Sequence, residues 1–253
     1  MPGLETFFPT LAHFAATCGV LLLAETVYVL FGFGAGMIAL GCLALFMPDL
    51  RDVVVMLLLV NLPAEVWVVT TTWRRIRWPS VLPIGLGILV GVPLGTWVLR
   101  WGEPTFLLVL LGAVLVVAGG AFLLAPRRRT VSWPWWSAPP VGVASGFLSG
   151  TFGTGGPPLV LYYQLGGLPK SAFRASLMAI FLLVAIERFG LYSAKGLITL
   201  PRLWSSLLVM PAVVAGAWLG NHVHLQLEEH TFRRLVSAVL VVIGVLLLAK
   251  RFT

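Results

Sequence analysis

Charge is scarce in this sequence: Asp, Glu, Lys and Arg together make up 10% of its 253 residues, against 59% hydrophobic. A soluble domain carries about 25% charged and about 45–50% apolar residues, so a water-soluble globular enzyme is excluded. Long polar stretches are lacking as well, which leaves no room for a separate catalytic or ligand-binding domain outside the membrane. Cysteine is nearly absent. Cys18 and Cys42 fall in apolar runs without metal-type spacing, so they read as packing residues and say nothing of redox compartment. Glu5, and no Lys or Arg, precedes the first apolar run, so a cleaved signal peptide is not expected.

What the sequence has is apolar length. Mean hydropathy is +0.99, and at about 20 apolar residues per spanning helix the chain has room for roughly eight crossings. The expected fold is an all-α, polytopic membrane protein. The 17 Lys and Arg exceed the 9 Asp and Glu, which in a membrane protein reads as basic cytoplasmic loops rather than a nucleic-acid surface. Apolar segments fall near 11–31, 37–47, 52–72, 81–100, 104–125, 139–152, 157–166, 171–194, 203–221 and 231–249. Two of them, 37–47 and 157–166, make helices of about 15–16 Å, half of a hydrocarbon core of about 30 Å. They are expected to be half-helices.

The two halves of the chain resemble one another. Phe33-Gly34-Ala35-Gly36 matches Phe152-Gly153-Thr154-Gly155; Met56, Glu65 and Pro79 match Met178, Glu187 and Pro201 in order. Ala113-Val114-Leu115-Val116-Val117 recurs letter for letter at Ala238–Val242. Matched Gly, Pro and Glu point to internal duplication: a first transmembrane repeat over 1–125, a cytoplasmic linker over 126–138 and a second repeat over 139–253. Arg127, Arg128 and Arg129, followed by Trp133, Trp135 and Trp136, suit a cytoplasmic loop at the headgroup level, as do Arg74, Arg75 and Arg77 between Trp73 and Trp78. Arg188 and Lys195 are read with these inner basic residues. The charges divide nearly the same way for parallel and for inverted repeats, so that choice stays open.

Gly32–Gly36 and Gly150–Gly156 each interrupt an apolar run ahead of a short helix. Glycines in membrane helices also serve plain close packing. Two matching breaks at the head of truncated helices, closed by Pro48 and Pro169, favour a ligand site. Glycine lets a ligand approach the backbone, and exposed N–H groups at the positive end of a helix attract an anion. Neither stretch has the Lys-Ser/Thr ending of a P-loop. The candidate substrate-binding residues are Gly34, Ala35, Gly36, Thr151, Gly153, Thr154, Gly155 and Gly156. Lys170 and Arg174 are candidate cations one turn beyond the second half-helix.

Carboxyls within apolar spans are costly and therefore candidate proton carriers. Glu25, Glu65 and Glu187 qualify, the last two at matching repeat positions. His222, His224, Glu228, Glu229 and His230 gather in a polar loop without clean ligand spacing, so neither metal nor cofactor is expected. Ser145-Gly146 and Ser149-Gly150 lack the Gly-x-Ser-Gly turn of an intramembrane serine protease, and no enzyme activity is expected.

The Gly-Phe-Gly-Ala-Gly stretch at 32–36 and the Ser149–Pro157 stretch, each followed by a short apolar run and a Met-Pro or Leu-Pro, resemble the TauE/SafE family. Ala35, Met37 and Pro157 stand where that pattern has glycine. The resemblance spans both repeats and implies a duplicated inner-membrane transporter that exports sulfite or a small organosulfonate, with a passive anion channel as the alternative; the intramembrane carboxyls add proton coupling to that expectation. Its implied partners are a small anionic substrate, membrane lipid and a second copy of the chain.

Overall fold

The computed structural model describes residues 6–31, 35–124, 131, 133–222 and 229–250. Among them are ten α-helices: α1 Leu11–Phe31, α2 Ala35–Phe46, α3 Leu50–Thr72, α4 Trp78–Trp101, α5 Pro104–Leu124, α6 Ala138–Phe152, α7 Gly156–Leu165, α8 Lys170–Ala194, α9 Leu200–His222 and α10 Glu229–Ala249. Single 3-10 turns at Trp73–Arg75 and Trp135–Ser137 lead into α4 and α6. Every apolar segment read from the sequence is a helix, with ends displaced by a few residues at most. Proline and glycine set those ends: Pro104 opens α5, Pro139 and Pro140 open α6, and Gly166 caps α7.

Six of these helices, α1, α3, α4, α5, α8 and α9, are long and apolar enough to cross a membrane. The room for roughly eight crossings thus resolves into six full-length helices among the described residues. α10 adds a shorter apolar stretch, Arg234–Ala249. The chain is an all-α polytopic membrane protein. Its α2, of 12 residues, and α7, of 10, are short as expected. Lipid replaces water as the outer solvent, so large apolar side chains lie exposed along the helices. On α4, Leu82, Leu86, Val90, Leu94, Trp97 and Trp101 form one exposed stripe.

The helices cluster into two compact units that each draw on both halves of the sequence. The first contains α1, α2, the start of α3, α5, α9 and α10; the second contains the rest of α3, with α4, α6, α7 and α8. The dividing point lies within α3, between Val60 and Asn61, just ahead of Pro63.

In the first unit α1 packs on α9 and α2, and α10 packs on α5 and α2. Gly112 of α5 and Gly244 of α10 face each other's carbonyl oxygens, and Gly41 of α2 fits against Ile243 and Leu115. An ion network ties three helix ends together. Arg202 on α9 donates through Nε to Asp52 at 2.7 Å and lies 3.7 Å from Asp49. Arg51 lies 3.8 Å from Asp49 and donates to the Gly102 carbonyl at 2.8 Å.

In the second unit α4 lies along α6 and α8, and α7 turns back beside α6. Gly87, Gly91 and Gly95 of α4 interlock with Gly142, Gly146 and Gly150 of α6, each set spaced by four residues. A methyl on Gly91 would overlap the Val143 carbonyl oxygen, and one on Gly142 the Ile84 carbonyl oxygen. Four-residue spacing puts all three glycines of a helix on one face, so the backbones touch directly.

Candidate functional site

The second unit holds the described glycine break. α6 stops at Phe152 because Gly153 takes φ 74°, a left-handed conformation that costs a residue with a Cβ about 1–2 kcal/mol. The Gly153 N–H donates to the Ser149 carbonyl at 2.7 Å and closes the helix end. Thr154 and Gly155 cross to α7, whose first turn is Gly156-Pro157-Pro158. Proline suits that turn because its missing N–H has no intrahelical partner there.

Two serines of α6 hold the turn in place. Ser145 Oγ donates to the Gly155 carbonyl at 2.7 Å. A methyl on Gly155 would collide with Ser145 and Ser149, so the close approach requires glycine. Thr154 is 5% exposed, and its Oγ1 has no hydrogen-bond partner among the described residues. A buried hydroxyl without a partner costs about 1–3 kcal/mol. It sits where α7 presents the positive end of its dipole.

Beneath the turn lies Arg188 of α8. Among the described residues it is the charged side chain that is buried, at 5% exposure. A methyl placed on Gly153, which is itself exposed, would lie 3.0 and 3.1 Å from Nη2 and Nη1 of Arg188. Its Nε donates to Tyr192 Oη at 3.2 Å, Tyr192 Oη donates to the Gly150 carbonyl at 2.7 Å, and the guanidinium lies 5.0 Å from the Tyr192 ring centroid. Tyr192 therefore ties Arg188 to the end of α6.

Arg188, read from the sequence with the inner basic residues and next to Glu187, is a buried side chain within the helix packing. Successive residues on a helix point about 100° apart. Glu65 lies on the part of α3 that belongs to this unit. Glu65 and Glu187 each carry one buried carboxyl oxygen without a hydrogen-bond partner among the described residues.

The remaining candidates fall in different places. Thr151 is buried and its hydroxyl donates to the Phe147 carbonyl at 2.9 Å and to the Gly95 carbonyl at 3.2 Å, so it serves the α4–α6 contact. Arg174 is exposed, fourteen residues before Arg188 on α8 and hence about 21 Å of helix rise away. Lys170 opens α8 and its side chain lies outside the described residues, as does that of Ala35 at the start of α2. Gly34 also lies outside them. Gly36 faces open space, with nothing within 4 Å of a methyl placed there. Glu25 belongs to the first unit, where its Cβ lies 3.1 Å from a methyl placed on Gly216 of α9. His222 Nδ1 is 2.8 Å from the Trp218 carbonyl, while His224 and Glu228 lie outside the described residues.

The groove beside α4 and α6, lined by Leu94, Pro139, Pro140, Val143, Ala144 and Phe147, is apolar and offers an anion nothing. The α6–α7 turn is different: it places a hydroxyl that has no partner among the described residues at the positive end of the α7 dipole, where Gly156 keeps its N–H and Pro157 and Pro158 have none, and it passes close to the Arg188 guanidinium at Gly153.

A family model described as "Sulfite exporter TauE/SafE" matches residues 17–247. The chain is similar to the "Probable sulfite/organosulfonate exporter TauE" of Cupriavidus necator, 28% identical over 220 residues that cover 84% of this chain and 85% of that one. It is also similar to the "Probable inner membrane transporter protein TsaS" of Comamonas testosteroni, 23% identical over 190 residues covering 75% and 80%. No solved structure matches it significantly.

Proposed function

Because the chain belongs to the Sulfite exporter TauE/SafE family, a family of membrane transporters rather than enzymes, we propose that it exports a small sulfur oxyanion, sulfite or a short organosulfonate, across the inner membrane. The observation that carries this reading is the turn at Gly153–Gly156. There a buried Thr154 hydroxyl without a partner among the described residues meets the N-terminus of a 10-residue half-helix. Such a seat favours compact anions rich in acceptor oxygens and disfavours cations, which meet a positive dipole end. The phrase "sulfite/organosulfonate exporter" in the name of the Cupriavidus necator relative agrees with that chemistry.

The reading extends to a proton-coupled carrier, with Glu25, Glu65 and Glu187 as the carboxyls available for proton exchange. It extends also to a duplicated chain. The first helix of each half packs on the fourth helix of the other, α1 on α9 and α6 on α4, and the fifth helices α5 and α10 pack together. An exchange of halves maps this set of contacts onto itself, which supports duplication. The expected homodimer is tested by the mass of the detergent-solubilised particle.

Purified protein in proteoliposomes tests the function. Sulfite and ethanesulfonate should move across the bilayer while sodium and glucose do not, and an imposed pH gradient should drive the anions uphill. Downhill flux alone, indifferent to the pH gradient, identifies a passive channel instead. Movement of cations or sugars in place of the anions overturns the substrate class.

A further inference from the structure

We propose that the second unit carries a seat for one phospholipid with an anionic headgroup, its acyl chain laid in the groove beside α4 and α6 and its phosphate held by Arg74, Arg75 and Arg77. Such a seat is independent of what the chain transports. Charge is the first observation. The stretches 61–101 and 125–197 that form the second unit hold two carboxylates, Glu65 and Glu187, against eleven Lys and Arg, whereas the first unit's stretches hold seven carboxylates against six. The whole positive excess of the chain thus belongs to the second unit. Arg74, Arg75 and Arg77 are exposed, and none of them has an ion pair or a side-chain hydrogen bond among the described residues. Adjacent cations without a counter-charge repel one another and gain from an anion in their surroundings.

The groove is the second observation. α4 and α6 touch backbone to backbone, so larger side chains flank the seam without filling it. Pro140, Ala144 and Phe147 share one face of α6, at i, i+4 and i+7, and Leu94 of α4, 52% exposed, lines the groove with them. Ala144 contributes only a methyl, which leaves the groove its depth. From Pro139 to Phe147 α6 rises about 12 Å, most of one leaflet of a hydrocarbon core of about 30 Å. The lining has no polar side chain, so it suits a hydrocarbon chain.

Order along the helices is the third observation. α4 and α6 run in the same direction: Gly87 meets Pro139 and Gly142, Gly91 meets Val143 and Gly146, and Gly95 meets Phe147 and Thr151. Their starts therefore lie at one end of the unit. Beyond Pro139 toward that end come Trp135 and Trp136, 81% and 62% exposed, on the 3-10 turn that leads into α6. Trp78, also exposed, stands nine residues before Gly87, about 14 Å of helix rise, with Arg77 next to it. Apolar groove, indoles and guanidiniums thus follow the order of acyl chain, ester interface and phosphate in a lipid lying along these helices.

Arg77 is fixed at that end, since its backbone N–H donates to Ser176 Oγ of α8 at 3.0 Å. The same contact brings the exposed Arg174, two residues before Ser176, to this end. A guanidinium fork matches two phosphate oxygens. A choline headgroup would add a cation beside these arginines, whereas a glycerol headgroup leaves the lipid with its net negative charge. The seat therefore favours a phosphatidylglycerol-type lipid over phosphatidylcholine.

Native mass spectrometry of the purified full-length protein, released from detergent with equal amounts of phosphatidylglycerol and phosphatidylcholine of the same acyl chains, tests the seat. Wild type should retain one phosphatidylglycerol in preference to phosphatidylcholine by about tenfold or more, each arginine near an anionic lipid being worth about fivefold. R74Q/R75Q/R77Q should abolish the preference, and R100Q, at the other end of α4, should keep it. A144W, which fills the groove, should cut the retention of phosphatidylglycerol several-fold, and A144F decides in its place should A144W not fold. Soluble glycerol 3-phosphate, which has the phosphate and no chain, should not compete. Equal retention of the two lipids by wild type means an annular coat only and overturns the proposal, as does a preference that survives the triple variant. Unchanged retention in the Ala144 variants, or full competition by glycerol 3-phosphate, removes the acyl chain from the site and overturns it as well.

Discussion

Two helix contacts in this protein do the same job with different materials. In the second unit α4 and α6 meet backbone against backbone, through Gly87, Gly91 and Gly95 on one side and Gly142, Gly146 and Gly150 on the other. In the first unit a single described glycine brings α9 against the backbone of α1: Gly216 approaches the Leu22 carbonyl and Glu25 Cβ, while Gly19 of α1 has nothing within 4 Å among the described residues. Yet one feature is common to both. Thr151 donates to the Gly95 carbonyl at 3.2 Å, and Thr26 donates to the Gly216 carbonyl at 3.1 Å. The first unit adds charge in its turn, through Arg202 with Asp52 and Asp49.

The difference separates two roles for glycine that a run of sequence blends together. Gly142, Gly146 and Gly150 bring helices into contact; Gly153, Gly155 and Gly156 break the chain and expose it. Backbone contact of the first kind leaves no side chain to adjust, so it makes a rigid platform, and the turn with Arg188 beneath it stands at the end of that platform. A seat for a small oxyanion needs its donors fixed in place.

The largest effect that would break this comparison is a side chain inside the glycine contact. Gly91→Val and Gly146→Val should each lose about 3–5 kcal/mol or fail to yield monodisperse protein in detergent, because the obstructing atoms are backbone and cannot swing aside. Gly19→Ala in α1 should leave melting temperature unchanged or slightly raised. Equal damage from both would mean that the two contacts are not different in kind. Next in size, Asp52→Asn should cost about 1–2 kcal/mol by weakening the Arg202 network of the first unit. The loss should shrink in high salt, since both side chains are partly exposed, whereas the glycine variants should be insensitive to salt.

A finer test compares the shared threonines. Removal of one interhelical hydroxyl in a membrane protein costs about 0.6 kcal/mol and at most about 1.7. Thr151→Val should fall at the upper end and Thr26→Val at the lower, because Thr151 is 0% exposed and Thr26 is half-buried. Thermal unfolding in a fixed detergent reads the difference. Smallest of all, Gly120→Ala in α5 should stabilise by about 0.5–1 kcal/mol. Nothing lies within 4 Å of the added methyl, and alanine favours the helix.

The helices were legible because their signals are local. An apolar run ended by Pro or Gly needs no knowledge of its neighbours: 11–31 became Leu11–Phe31, and 157–166 became Gly156–Leu165. The Gly153 turn was legible for the same reason. Arg188 was not, since what makes it notable is its place beside Gly153, a residue 35 positions away in sequence. The glycine contact between α4 and α6 was visible as two triplets at four-residue spacing, but grouping adjacent glycines hid it and drew Gly150 and Thr151 into the break. Interleaving of the two halves within each compact unit is a tertiary fact that local pattern does not carry.

In the proposed function the turn seats the anion while the adjacent helix contact only supports it. Counterflow of radiolabelled sulfite in proteoliposomes, normalised to folded protein, measures this with Thr154→Val set beside Thr151→Val. Thr154→Val should lower exchange at limiting sulfite by about tenfold or more, the worth of one hydrogen bond to a charged group. Thr151→Val should leave exchange per folded molecule unchanged. Loss of exchange in Thr151→Val with none in Thr154→Val would contradict the account.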